Sequence, residues 1–116
     1  MAASNIKALQ DARQAMRYPT SFLGEVLVWR QSLVVMITDI SRRGALLKAA
    51  ALPSAGEEVT LKARCLEVVA TVVWTKSGFA GLRFHRDIEP LEVVRQNADE
   101  MSRFRTMRRH GPPRST

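Results

Sequence analysis

The chain is poor in the residues that most short functional signatures need. It has one cysteine, Cys65, and two histidines, His85 and His110, in 116 residues. One thiol excludes an internal disulfide and fits a reducing compartment. No metal cluster of the usual kind can be assembled from one Cys and one His outside the tail. Aromatics are few as well, two Trp, one Tyr and four Phe, mostly at positions that read as core, which leaves little for a base-stacking platform. No apolar run approaches the ~18 residues of a membrane span. The opening "MAASNIKALQDARQ" has no apolar stretch leading to a cleavage site, so a cytoplasmic location is expected. Ser41 lacks the preceding glycine of a nucleophile elbow, and no phosphate-binding loop or dinucleotide fingerprint is present. Glu57 and Glu58 are neighbours at a strand start and point to opposite faces, so they make no acid/base pair. An enzyme is not expected, nor a metal or cofactor.

What is present is an ordinary globular balance, 46% hydrophobic and 25% charged residues, enough for one domain with one core. The net charge of +7 suggests nucleic acid until it is located: Arg103, Arg105, Arg108, Arg109 and Arg114 carry five of those charges in the last sixteen residues, with no acid among them. The body of the chain is only mildly basic, and nucleic-acid binding ranks last among the functions considered.

Six short runs, "SFLGEVLVW", "LVVMITD", "GALLK", "EEVTLK", "LEVVATVVW" and "FAGLRF", are spaced by turn residues without intervening helices. They predict a mainly β protein, a six-stranded antiparallel barrel or sandwich, with closure favoured because it removes exposed edges. Val59 and Leu61 share a face, as do Leu66, Val68, Ala70, Val72 and Trp74, and likewise Ala80, Leu82 and Phe84. Trp74 and Phe84 are accordingly expected in the core. A helix is predicted from Asn5 to about Met16, ended by Pro19. Past Asp87 the period becomes helical, with Leu91, Val94, Ala98, Met101 and Phe104 on one stripe and Pro90 in the first turn. That stripe fits either the barrel or a second copy of the chain. The expected organisation is an arm over residues 1–19, a barrel over 20–86, an amphipathic helix over 87–109 and a frayed tail over 110–116.

Two stretches carry chemistry. In "RQAMRYP", Arg13 and Arg17 stand four apart, one helical turn, and like charges so close favour an anion between them. A phosphate or the Hoogsteen edge of guanine would suit two such guanidinium groups. By itself the pair reads more simply as a solvated charged segment. In "TDISRRG", Asp39 and Ser41 share a face of a strand end, and Gly44 either supplies φ > 0 for a bend or lets a backbone approach closely. Alone, this reads as a turn, with Arg42 and Arg43 as solvated turn charges.

Together the stretches resemble the PilZ domain family, bacterial receptors for cyclic dimeric guanosine monophosphate (c-di-GMP). The family pattern RxxxR, a nearby proline, a strand pair and DxSxxG is met by Arg13, Arg17, Pro19, Asp39, Ser41 and Gly44. The likeness continues through "EVTLK", "VVW" and "GLRF" and covers about residues 10 to 86. It implies a six-stranded barrel that binds c-di-GMP under an N-terminal arginine segment. By position, Arg13 and Arg17 would contact phosphates and guanine, Asp39 and Ser41 would hydrogen-bond a guanine, and Gly44 would give clearance. The function implied is a ligand-switched receptor that signals through a partner protein. The competing reading is a PilZ-like docking module that binds no nucleotide.

Overall fold

The computed structural model describes residues 16–103. The predicted N-terminal helix, Arg13, Phe104 and the tail lie outside them. Strands β1 (Arg17–Val28), β2 (Gln31–Ser41), β3 (Gly44–Lys48), β4 (Glu58–Ala63), β5 (Leu66–Lys76) and β6 (Phe79–Phe84) close into a barrel in the order β1-β2-β3-β6-β5-β4, with antiparallel pairing throughout. Each of the six runs expected to be a strand is one. β1 begins at Arg17, so it takes in the last residues of the segment read as an arm.

Alternation of apolar side chains fills the interior. Val59 and Leu61 from β4, Leu66 through Val72 at every second position of β5, and Ala80, Leu82 and Phe84 from β6 are all buried. They meet Phe22 and Val26 of β1 and Val35, Ile37 and Ile40 of β2. Four hairpins turn in two residues, and one of them, the β5–β6 turn, uses Ser77 and Gly78, both at positive φ, the conformation that matches the twist of a tight hairpin.

Period two fails at two places. Between Ile37 and Asp39 the pairing of β2 with β3 slips by one residue, and β1 slips opposite the same point, between Pro19 and Phe22. Thr38 is the residue left over. Its hydroxyl donates to the Leu46 carbonyl at 3.2 Å, and Thr20 donates to the Ile37 carbonyl at 2.7 Å, so side chains take up backbone acceptors around the irregularity. The second slip lies between Val72 and Trp74. It turns Trp74 out of the core position the alternation assigns to it, and the indole is 44% exposed.

After β6 the chain seals one end of the barrel. Ile88 is buried, and helix α1 (Pro90–Gln96) starts at Pro90 as expected, then presses Val93 into the core. A further helical stretch runs over 98–103. Asn97, buried between the two, donates from Nδ2 to the Arg64 carbonyl at 3.2 Å and to the Val93 carbonyl at 2.7 Å. The Glu100 carboxylate accepts the Leu23 backbone N–H at 2.7 Å. Of the predicted stripe, Val94 and Met101 are partly buried against the core while Leu91 and Ala98 face outward, and the buried contact is made by Val93 instead.

Candidate functional site

The bulge at Thr38 decides where Asp39 points. Ile37 and Ile40, three apart, are both fully buried, whereas unbroken alternation from Ile37 would carry Asp39 into the core. Released from that face, Asp39 lies on the outside of the barrel, diagonally across from Arg17, since Arg17 pairs with Ser41 and Pro19 with Asp39. The Arg17 Nε stands 3.0 Å from Asp39 Oδ1 and donates to Oδ2 at 3.2 Å. Oδ1 is thus held in the ion pair with Arg17, away from solvent and without an aligned hydrogen bond from the described residues. Arg17 is in an extended strand and not in the helical turn that its four-residue spacing from Arg13 suggested, and its approach to Asp39 comes from strand register.

Ser41 is 2% exposed and builds the turn between β2 and β3. Its Oγ accepts the N–H of Gly44 at 3.1 Å and of Arg43 at 3.3 Å, and lies 3.3 Å from the Gly44 carbonyl to which it donates. The turn is braced from below: the Arg43 carbonyl accepts the Phe84 N–H at 2.7 Å, the Arg42 carbonyl accepts the Ile88 N–H at 3.0 Å, and Arg42 pairs with Glu89 at 3.5 Å. Gly44 is not in the left-handed region, where the glycines are Gly56 and Gly78. Of its two expected roles it fills the second, because a methyl group there would overlap the Leu82 carbonyl oxygen. The stretch "TDISRRG" is a corner fastened to β6 that presents Asp39 on its upstream side.

Register then lays out the outer face. One row across four strands runs Asp39, Leu46, Gly81, Trp74. Gly81 lies under the indole, and a methyl group on it would overlap Trp74 Nε1. Reading the sequence as strict alternation missed Trp74 as a surface residue. The signal available was Gly81 itself, an isolated glycine inside a strand, which marks a close approach.

Elsewhere on the face, Thr71 Oγ1 and His85 Nε2 are 2.7 Å apart, with Glu58 Oε2 3.5 Å from the other ring nitrogen. A hydroxyl, an imidazole and a carboxylate in line resemble an activated nucleophile, but the carboxylate is beyond hydrogen-bond length and all three lie on an open strand surface. Among the described residues no group of three or more His, Cys, Asp or Glu is placed to hold a metal ion. No helix among them is long and apolar enough to cross a membrane. An open depression of about 450 Å³ lies on another side of the barrel, lined by Leu23, Gly24, Glu25, Val34, Lys62 and Ala63.

The chain and its fold have counterparts in known proteins. The family model described as PilZ domain matches residues 11–100. Among solved structures the chain is similar to the PlzA protein of Borreliella burgdorferi in complex with c-di-GMP, at a TM-score of 0.57 and 17% identity. That match covers 86% of this chain and 45% of the other, so the chain spans less than half the length of that protein, and the likeness is one of fold. No curated protein sequence matches.

Proposed function

Because the chain belongs to the PilZ domain family, we propose that it is a cytoplasmic receptor for c-di-GMP, a binding module with no catalytic step of its own. The observation that carries the reading is the Asp39 carboxylate, placed outside the core by a bulge and paired with Arg17, with no aligned donor from the described residues on Oδ1. The Watson–Crick edge of guanine offers adjacent N–H donors, and an ionised carboxylate accepts two of them in parallel with charge-assisted strength. Arg17 beside it supplies a guanidinium that can serve a phosphate or a purine face. Arg13, outside the described residues, is assigned the same chemistry by the family motif.

The pair costs little to rearrange. Arg17 and Asp39 are 52% and 24% exposed at their side chains, and an ion pair in that setting is worth about 0–1 kcal/mol. A ligand that brings two phosphates and two purines can draw Arg17 to itself and leave Asp39 to guanine at small expense. Ser41 and Gly44 act through the turn: the hydroxyl is committed to backbone N–H groups and the glycine to the Leu82 contact, so both fix where Asp39 stands. Closure of the arginine segment over the ligand would change the surface offered to a partner protein, to the extent that the ligand's contacts favour the closed arrangement.

The test is calorimetric titration of c-di-GMP into the protein, beside Arg13→Ala, Arg17→Ala and Asp39→Ala, with GTP as the control ligand. Saturable binding that weakens at least tenfold in each variant is the expected result, the loss of one charge-assisted contact being worth about that factor. The competing docking-module reading has the Arg17–Asp39 pair in its favour, since the two side chains can satisfy each other as a surface ion pair. Absence of saturable heat, with a monomer of unchanged fold, would decide for it.

A further inference from the structure

The motif residues occupy one end of a second cross-strand row. Arg17 pairs with Ser41, Ser41 meets Gly44 across the turn, Gly44 pairs with Arg83, and Arg83 pairs with Thr71. Two arginines therefore flank Ser41 and Gly44, both small and buried, so the surface between them is low. Three inter-strand steps of about 4.8 Å separate them, roughly 14 Å along the sheet. Arg83 alternates outward between the buried Leu82 and Phe84 and is exposed. It makes no hydrogen bond or ion pair with the described residues, whereas Arg17 and Arg42 on either side of the turn are paired.

We propose that Arg83 is a further ligand-contacting residue, the cation for the phosphate of c-di-GMP farther from Arg17. This rests on the receptor reading above. A cyclic dinucleotide lying across Ser41 and Gly44 presents one phosphate toward each side of that low saddle, and the Asp39–Leu46–Gly81–Trp74 row runs parallel beside it. With only the first arginine pair, the far phosphate would lose water without gaining a cation. An exposed guanidinium with no partner among the described residues to give up is the cheapest group to supply one.

Titration of c-di-GMP into wild type, Arg83→Ala, Arg83→Lys and Arg30→Ala separates the outcomes. Arg30 sits at the far hairpin tip and reports any loss caused by net charge alone. The expected result is about tenfold weaker binding for Arg83→Ala, a smaller loss for Arg83→Lys, no change for Arg30→Ala and an unchanged melting temperature for all. Wild-type affinity retained by Arg83→Ala would overturn the inference and leave the receptor standing, as would an equal loss in Arg30→Ala. Failure of the wild type to bind would remove the receptor reading and this one with it.

Discussion

At Gly44 the demand for a missing side chain comes from the barrel. Its Cα faces the Leu82 carbonyl across the β3–β6 pair, and backbone cannot move aside as a flexible side chain would. Gly44→Ala is expected to cost about 2 kcal/mol or more through overpacking, lowering the melting temperature on the order of 10 °C, measurable by circular dichroism without any ligand. A fall in c-di-GMP affinity with no change in melting temperature would contradict that account and return the glycine to the ligand side of the turn. Ser41 belongs to the same corner and Asp39 does not. The spacing "DxSxxG" was legible in the chain, but the division of labour within it was not, because it depends on which atoms the β6 backbone brings underneath.

Among the elements, the bulges and the helix end are where tertiary pairing overrides local pattern. Thr38 and Val73 look like any strand residues in a one-dimensional reading, and the slip at each is created by neighbours on adjoining strands. One slip moves Asp39 to the surface and the other does the same for Trp74. The short α1 shows a similar effect, since the helical stripe pointed to Leu91 while the packing selects Val93. Asn97 holds the junction by donating two hydrogen bonds to carbonyls, one of them on the β4–β5 turn. Asn97→Ala should destabilise by about 1–3 kcal/mol, and Asn97→Asp by more, since a carboxylate would set acceptor against acceptor in a buried place. Urea denaturation midpoints give the order, and an aspartate variant as stable as wild type would refute the assigned donor role.

For the whole molecule, closure ties the site to global stability. Arg17 opens the strand that also closes the barrel against β4, so a ligand held by Arg17, Asp39 and Arg83 bridges β1, β2 and β6. Binding to the folded state alone at a free ligand concentration of 100 times Kd adds about 2.7 kcal/mol, a rise in melting temperature on the order of 10 °C. Thermal unfolding with and without c-di-GMP should therefore show one transition that moves upward with ligand, and a ligand that binds calorimetrically without shifting it would mean that its site lies off the cooperative barrel.

By itself the sequence determined the six strands and, Trp74 apart, their inward faces, because period-two burial is a property of local segments, and it offered the residues proposed to serve a guanine and phosphates. Val59 with Leu61, and Ala80 with Leu82 and Phe84, could not be read otherwise. The tertiary structure alone decided that Asp39 and Trp74 stand on one outer face, that Arg17 reaches Asp39 from an extended strand, and that Arg83 completes a row with Ser41 and Gly44. These are consequences of register between strands distant in the chain, and register is fixed only when the barrel closes and its core is filled.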